Sequence, residues 1–400
     1  MKISLYPLMG MLILCLICHT ACADVLAVPG DIDGDKIVTD KEVETAQKNF
    51  QEGKITSEEL EEIKYINENY PRTITDDVER SVTLYQPAKK IIVLSADCAE
   101  VIRGIGAADQ IKAVDSYTAK DVIFFPEFAD LPTVGSSFHP DCEAIMEIKP
   151  DLVFAYNSVK EEELDDKVEA LEIPVARFSA CKVSTRDEQL RTLGFLLEKE
   201  DEAEELIEFY HGFNDSVTEA LNEISEDDKP RVYIECYKDY RARNVLSGTH
   251  PMCEIAGGIN IAQDVETFGD GTTVELDPEW IIEQNPDIIL KVVSGSKVSC
   301  GYGEDDSSEM KAVREEIMSR PGFENIDAVK NDRIYLISSH ICDRSCNAIG
   351  IAYLATWFYP QLLQDIDPQA IHQEYIDEFQ GIDFDLKERG VFVYPTPYGL

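Results

Sequence analysis

The chain carries the sequence EAIMEIKPDLVF at residues 143–154 and a close copy, EWIIEQNPDIIL, at residues 279–290. Glu, Ile, Glu, Pro and Asp recur at the same places in both copies, 136 positions apart. Each copy predicts a short amphipathic helix, a Pro-Asp turn and then a buried strand of about four to six apolar residues. Such repetition indicates two domains built on one α/β plan.

Further apolar runs extend this plan into two sheets. Strands are predicted at residues 90–94, 231–235 and 333–337, and strands that alternate with helical patterns are typical of parallel βαβ units. Between the two copies, residues 201–224 carry an apolar stripe at helical spacing, which predicts a helix of about 36 Å. We therefore predict an α/β protein with two Rossmann-like lobes and parallel sheets, at residues 83–200 and 227–380. One linker helix at residues 201–226 joins them, and a C-terminal strap covers residues 381–400.

The composition indicates an acidic, exported protein. The 400 residues include 36 Lys and Arg against 78 Asp and Glu, a net charge of −42. This balance excludes nucleic acid as a partner, because polynucleotide binding requires clustered Lys and Arg. Lys2, the apolar run at residues 8–18 and the small residues around Cys22 predict a signal peptide at residues 1–23. We expect an extracytoplasmic location, in the periplasm or on the outer face of the cell membrane. Anchoring through a lipidated Cys22 or an uncleaved signal is the alternative to a released chain.

A calcium loop is predicted near the mature N-terminus, within a module at residues 24–82. Oxygen ligands occupy the spacing of a twelve-residue loop, with Ile37 offering its backbone carbonyl, and the full set is Asp31, Asp33, Asp35, Ile37, Thr39 and Glu42. The loop resembles an EF-hand, and more closely the calcium loop of dockerin modules. Its sixth position holds Lys36 instead of the usual glycine. We expect a structural Ca²⁺ site here; the alternative is an acidic, helix-capping loop without metal.

The order of these features resembles the substrate-binding proteins of ABC importers, in the helix-linked class that takes up ferric siderophores, haem and cobalamin. The resemblance spans about residues 85–375 and rests on the two copies, the linker helix and the segments PAKKIIVL (87–94), VLSGT (245–249) and EIAGGINIA (254–262). It implies that a ligand is held between the lobes and that Glu143 and Glu279 dock onto arginines of the permease dimer. The alternative role of each glutamate is stabilisation of its helix dipole. The family also implies a protein that is not an enzyme and has no catalytic cofactor.

The ligand is expected where the carboxyl ends of both sets of strands face each other. Arginines in a cleft suit an anionic chelate, tyrosines stack on a planar or macrocyclic ligand, and His340 is a candidate metal or axial ligand. In the first lobe the candidates are Ser95, Asp97, Ser136, Phe138, Tyr156 and Asn157. In the second lobe they are Tyr237, Lys238, Arg241, Arg243, Thr249, Ser294, His340 and Arg344.

Three alternatives compete with this interpretation. A bare transition metal would need histidines, for which His139, His250 and His340 are the candidates. An exported enzyme would need a catalytic motif, and the sequence has no GxSxG, GxxxxGK[ST] or HExxH. A cell-surface, calcium-dependent scaffold protein would rest on the dockerin-like loop alone. We therefore expect a binding protein that captures a chelated metal or tetrapyrrole-type ligand (ferric siderophore, cobalamin or haem) for an ABC importer.

Overall fold

The computed structural model describes residues 27–160, 162, 164–168, 171–180, 183–266 and 271–396. The predicted signal peptide, including Cys22, lies outside these ranges, as do residues 397–400 of the predicted strap. Within these ranges, no helix combines the length and the apolar character that crossing a membrane requires. The seven cysteines in the described ranges are all buried.

The N-terminal module, residues 27–70, consists of the predicted calcium loop and two helices, α1 (Asp40–Gln51) and α2 (Ser57–Asn69). Both helices begin at a capping box, in which a threonine and the glutamate three residues later satisfy each other's backbone N–H groups. Leu60, Ile63 and Ile66 form the buried face of α2. The antiparallel strands β1 (Arg72–Thr75) and β2 (Ser81–Leu84) then lead into the first lobe.

The N-terminal lobe contains a four-stranded, wholly parallel sheet in the order β4-β3-β7-β8. All residues of β3, β7 and β8 are buried, because helices cover both faces of the sheet. A two-residue hairpin, β5–β6, stands beside it. In chain order the elements are β3 (Ile91–Val93), α3 (Ala96–Gly104), β4 (Ile111–Val114), β5 (Gly135–Ser136), β6 (His139–Pro140), α4 (Cys142–Ile148), β7 (Leu152–Ala155), α5 (Asp165–Val168), β8 (Val175–Arg177) and α6 (Arg186–Leu197).

The linker helix α7 (Glu200–Leu221) leads to the C-terminal lobe, ending five residues earlier than the predicted limit of 226. The elements that follow are β9 (Arg231–Glu235), β10 (Arg241–Arg243), α8 (Thr249–Ile255), β11 (Ile259–Asn260), β12 (Thr273–Glu275), α9 (Pro278–Gln284), β13 (Ile288–Val293), α10 (Ser308–Met318), α11 (Asp327–Lys330), β14 (Ile334–Ser338), α12 (Ser339–Cys342), α13 (Asn347–Phe358), α14 (Pro368–Glu374), a π-helical segment (Tyr375–Gln380) and β15 (Val393–Tyr394). Short 3₁₀ turns lie at Ala108–Gln110, Thr118–Lys120, Pro126–Phe128, Glu226–Asp228 and Phe323–Asn325.

The sheet of the C-terminal lobe has the order β12-β10-β9-β13-β14-β15, with β11 paired to the start of β9. Its centre is parallel, as predicted, but β10 and β15 run antiparallel to it, and β12 pairs antiparallel with β10. The chain reverses after β9 because residues 236–240 make a tight turn in which Tyr240 adopts a left-handed φ of 57°. Part of the predicted strap pairs with the sheet as β15.

The two copies of the repeated sequence form the predicted helix, turn and strand in each lobe. Asp141 caps α4 and Asp277 caps α9 through side-chain hydrogen bonds to backbone N–H groups. Each helix ends at a left-handed residue. The aspartate of each Pro-Asp turn then binds the start of the lobe's first strand. Asp151 accepts the N–H of Lys89 and Lys90 at 2.9 and 2.7 Å, and Asp287 accepts the N–H of Arg231 at 2.8 Å.

Two helical segments connect the lobes. Helix α7 packs on α6 of the first lobe and on α13 of the second. The π-helical segment returns from the second lobe to α3 of the first, where the Tyr375 hydroxyl donates to Glu100 Oε1 at 2.7 Å and Arg103 Nε donates to Gln380 Oε1 at 2.8 Å. The ring of Phe379 lies 5.0 Å from that of Phe209 on α7, so the two connections run side by side.

Candidate functional site

The N-terminal half of the cleft contains two stacked aromatic rings, Phe138 and Tyr156, above the buried carboxyl group of Asp97. We call the two rings the platform. Tyr156 follows β7, and its hydroxyl donates to Asp97 Oδ2 at 2.7 Å. Phe138, at the tip of the β5–β6 hairpin, stacks on Tyr156 with ring centroids 5.7 Å apart and an interplanar angle of 13°. Phe138 is 51% exposed, so the outer face of the platform is open to a ligand.

Asp97 lies in the first turn of α3, beneath this platform, and is buried. Burial raises the pKa of Asp97 to about 7, although the hydrogen bond from Tyr156 and the charge of Arg344 act in the opposite direction. The carboxyl group therefore gains or loses its proton near neutral pH. The platform is uncharged at its base in mildly acid conditions and anionic in alkaline ones.

In the C-terminal half of the cleft, the side chains of Arg243, Tyr237 and Asp343 are hydrogen-bonded to one another. Arg243 Nη2 donates to Asp343 Oδ2 at 2.7 Å, and the Tyr237 hydroxyl donates to the same oxygen. The Arg243 guanidinium also lies 5.2 Å from the centre of the Tyr237 ring. The arginine is thus neutralised by its own neighbours, and the tyrosine ring is held at the surface, 37% exposed.

The lobes meet at the floor of the cleft. Asp121, in the loop after β4, lies 3.4 Å from Arg344 Nη2, and Arg344 follows α12 in the other lobe. The Arg344 guanidinium lies 5.6 Å from the ring centre of Phe124, and that ring stacks on Tyr302 at 4.5 Å. These contacts hold Arg344 of the C-terminal lobe against the N-terminal lobe, where its charge acts on Asp97 beneath the platform.

Several predicted ligand-contacting residues have local structural roles instead. The Ser95 hydroxyl caps α3 by accepting the N–H of Cys98, and Ser136 accepts the N–H of His139 within the hairpin. Asn157 donates to Ser179, Arg241 donates to Thr273 on β12, and Ser294 pairs with Ser296. Thr249 is buried at the start of α8, and Lys238 is exposed on the 236–240 turn. The structure therefore brings together Asp97, Phe138, Tyr156, Tyr237, Arg243 and Arg344.

His340 belongs to the interior of the C-terminal lobe. Its Nδ1 lies 3.0 Å from the Ser338 hydroxyl, and its ring packs edge-on to Tyr302 and Phe392. Burial lowers the pKa of His340 to about 3, so the imidazole is neutral. Among the described residues, three potential metal-ligating side chains of the His, Cys, Asp and Glu types converge only at Asp31, Asp33 and Asp35.

The calcium loop places oxygens where a hard cation would need them. One carboxylate oxygen from each of Asp31, Asp33 and Asp35 lies within 4.8 Å of the other two. Glu42 reaches back to the loop, and its two oxygens accept the N–H of Ile32 at 2.7 Å and of Thr39 at 2.9 Å. These two bonds lower the pKa of Glu42, which keeps it anionic. Three convergent carboxylates are the kind of oxygen donor that Ca²⁺ takes, and Ile37 and Thr39 follow along the same loop.

Glu143 and Glu279 occupy equivalent exposed positions. Each lies in the first turn of a short helix, α4 or α9, that an aspartate caps. Because each helix runs back to the start of the next parallel strand, its first turn lies at the cleft edge of the lobe. Each carboxylate is therefore exposed at the corresponding place of its own lobe.

Two residues of the cleft were missed by sequence reasoning: Asp121 and Phe124. Asp121 and Phe124 lie in the loop after β4, and a loop that follows a parallel strand is itself the signal that could have identified them. Asp343 lies between the predicted residues His340 and Arg344, where its partner Arg243 is 100 positions away in the chain.

Comparison with known proteins agrees with this architecture. The chain is similar to the molybdate-binding protein MolA of Haemophilus influenzae, with 24% identity over 77% of this chain and 90% of MolA. It has 24% identity to the uncharacterised ABC transporter substrate-binding lipoprotein YvrC of Bacillus subtilis, over 76% of this chain and 90% of YvrC. Its fold matches the TroA-like periplasmic binding protein FepB of Veillonella parvula with a TM-score of 0.68 and 24% identity, covering 82% of this chain and all of FepB. The profile of the periplasmic binding protein family matches residues 91–340, more than half of the chain, and the chain belongs to that family.

Proposed function

We propose that the protein captures a chelated metal or a tetrapyrrole-type ligand (ferric siderophore, cobalamin or haem) in the inter-lobe cleft and delivers it to an ABC importer. The observation that carries the proposal is the exposed Phe138–Tyr156 platform on the N-terminal lobe, together with the exposed Tyr237 ring on the C-terminal lobe. Flat aromatic faces on both sides of a cleft suit a broad, partly apolar ligand. Family membership supports binding and release without chemical change, and so a protein that is not an enzyme.

The charges of the cleft support a chelate over a free oxyanion. MolA is named for molybdate, and an oxyanion site would need guanidinium groups that are free to bind it. Here Arg243 is bound to Asp343, and Arg344 lies beside Asp121. A chelate has an uncharged body and carries its own hydrogen-bond donors. It would therefore disturb the Arg243–Asp343 and Arg344–Asp121 pairs less than an oxyanion would.

A bare transition metal has weaker support. Of its three candidate histidines, His340 is half-buried and neutral beside Ser338, and His250 is on α8 with its Nε2 3.4 Å from Glu254. His139 is exposed on the β5–β6 hairpin. These positions are spread over both lobes rather than gathered around one point.

Delivery would use the permease dimer of the importer as partner. Glu143 and Glu279 are the docking residues in this proposal, because two exposed carboxylates on the cleft side can orient the protein on a basic surface. The chain supplies its own control, since Glu147 and Glu283 are exposed four residues later in the same two helices. We expect the E143A/E279A double variant to abolish ligand uptake while retaining ligand binding. The E147A/E283A variant should behave as wild type.

The N-terminal module would contribute a structural Ca²⁺ ion, bound by Asp31, Asp33, Asp35, the carbonyl of Ile37, Thr39 and Glu42. The convergence of the three aspartates supports this assignment. The wider location we propose is extracytoplasmic, with an N-terminal anchor at Cys22 as the alternative to release; YvrC, a similar protein, is named a lipoprotein.

The test of the cargo is a thermal-shift panel on the mature chain at fixed calcium, with ferric siderophores, cobalamin, haem, molybdate and divalent metals. A ligand at a hundredfold its dissociation constant should stabilise the protein by about 2.7 kcal/mol. We expect a shift with one chelate or macrocycle, which the F138A/Y237A variant should lose. F50A, which removes an exposed aromatic ring from α1, should not affect it. A shift with molybdate alone would overturn the proposed cargo, and a flat panel would overturn the assignment of the cleft.

A further inference from the structure

The N-terminal module is fastened to the N-terminal lobe at both of its ends. At the loop end, Lys36 Nζ lies 2.5 Å from Glu172 Oε2 and 5.5 Å from the centre of the Tyr85 ring. At the other end, the hydroxyls of Tyr65 and Tyr70 both donate to Glu198 Oε1 at 2.8 Å. Glu198 lies between α6 and the linker helix α7, so the second attachment is at the base of the linker.

The interior of the module continues into the lobe. Val38, Leu60, Ile63 and Ile66 belong to the same buried apolar cluster as Ile91 of the central strand β3. Gly30, with a left-handed φ of 91°, lies so close to Ile63 that a Cβ would come within 2.6 Å of that side chain. The loop, α2 and the lobe are therefore packed as one body, rather than as a lobe with a tethered appendage.

Lys36 takes part in both the calcium loop and this interface. Its backbone N–H donates to Asp31 Oδ2 at 2.9 Å, while its side chain leaves the loop for Glu172. Its φ of 69° is a left-handed conformation that is more costly for a residue with a Cβ than for glycine. A lysine at this position weakens the loop as an isolated cation site, because it adds strain and a positive charge. Its contacts with Glu172 and Tyr85 offset that cost.

We propose that the module is an intramolecular brace for the N-terminal lobe, and that Lys36 couples calcium binding in the loop to docking on the lobe. This rests on the calcium site in the proposed function. A cation among Asp31, Asp33 and Asp35 fixes the backbone around Lys36, and so favours the geometry in which its ammonium group meets Glu172. By thermodynamic reciprocity, docking then strengthens calcium binding to the same extent that calcium strengthens docking. The face of the module that a separate protein partner would use is, on this view, occupied by the chain's own lobe.

The test combines calcium titration calorimetry with hydrogen exchange on the full mature chain. In wild type, calcium should slow exchange in the loop and also in the segments around Glu172 and Glu198. K36G keeps the backbone N–H and suits the left-handed φ, so it should still bind calcium but lose the calcium-dependent protection around Glu172. E172Q leaves the ammonium group unpaired beside the aspartates and should weaken calcium binding about two- to fivefold.

E226Q is the matched control, because Glu226 pairs with Lys229 at the same 2.5 Å on the surface, remote in sequence from the module. It should leave both calcium affinity and protection unchanged. If wild type binds calcium but K36G and E172Q give the wild-type affinity and protection, the coupling is overturned while the calcium site stands. If wild type shows no calcium heat at millimolar concentration and the D31N/D33N variant is indistinguishable from it, the calcium site itself fails, and the coupling with it.

Discussion

At the edge where their strands begin, the two lobes are built alike. Asp151 and Asp287, each from a Pro-Asp turn, hold the first strand of their sheet by its backbone N–H groups. At the cleft edge the lobes differ. The N-terminal lobe offers Asp97, whose pKa of about 7 makes its charge variable, whereas the C-terminal lobe offers an arginine already bound to Asp343. The comparison teaches that the scaffold is repeated and the recognition surface is not.

The largest expected effect concerns the charge pairs of the cleft. D343A leaves the buried Arg243 without its carboxylate and should lower the free energy of unfolding by about 3 kcal/mol. D121A removes the more exposed partner of Arg344, at 3.4 Å, and should cost less than about 1 kcal/mol. Urea unfolding of the two variants measures the difference. Equal decreases in the free energy of unfolding would show that the Arg243–Asp343 and Arg344–Asp121 pairs contribute equally to stability.

The shared scaffold is tested by replacing Asp151 and Asp287, the aspartates that bind the first strand of each sheet. D151A loses two hydrogen bonds to a carboxylate and D287A loses one, so we expect destabilisation of about 3 and 1.5 kcal/mol, respectively. Native-state hydrogen exchange is the suitable measurement, because amides of β3 and β9 report on each lobe separately. Each variant should affect mainly its own lobe. A uniform loss of protection across both lobes would mean that they unfold as one unit.

The variable charge of Asp97 predicts a pH dependence. A carboxyl group whose folded pKa is raised stabilises the fold fully below its unfolded pKa of about 4 and loses that contribution as pH rises through about 7. The free energy of unfolding of wild type should therefore fall by roughly 2–3 kcal/mol between pH 5 and pH 8. D97N should not show this decrease. Y156F removes a bond that favours the carboxylate and should shift the midpoint upward. Parallel pH profiles for wild type and D97N would contradict this assignment.

The smallest effect separates the two aromatic faces. F138A removes the outer ring of the platform and should weaken ligand binding by about 1 kcal/mol, roughly fivefold in Kd. Y237F keeps its ring in the cleft and loses only the hydroxyl that binds Asp343, so its Kd should change less than twofold. Calorimetric titration with the ligand that the thermal-shift panel identifies measures both. A larger change in Kd for Y237F than for F138A would mean that the C-terminal lobe provides the main recognition surface.

The sequence predicted those parts of the fold whose signals are local. The repeated stretch contains its own cap, turn and apolar strand within twelve residues, and both copies fold as expected. The antiparallel edge of the C-terminal sheet was not predicted, because its hairpin depends on a left-handed Tyr240, and tyrosine is uncommon in that conformation. The family match confirms the predicted binding protein at residues 91–340, while the EF-hand-like and dockerin-like interpretation of the module stays a prediction.

The candidate site was predicted as a set of loops rather than as a set of contacts. Residues just after parallel strands, such as Tyr156, were expected at the rim because topology alone places them there, and their contact with a ligand stays a prediction. The pairing of Arg243 with Asp343 could not be predicted, since it joins residues 100 positions apart that only the folded sheet brings together. His340, a chemically suggestive residue, is half-buried beside Ser338, and its role as a ligand-contacting residue stays a prediction.

The second connection between the lobes has a mechanical consequence. Tyr375 and Gln380 fix the π-helical segment to α3, and Phe379 contacts Phe209 on α7, so the lobes are joined through two segments rather than one. A single connection would allow the lobes to twist about it as well as to hinge. Because two connections oppose twisting, any opening of the cleft to admit a cargo should be a hinge motion.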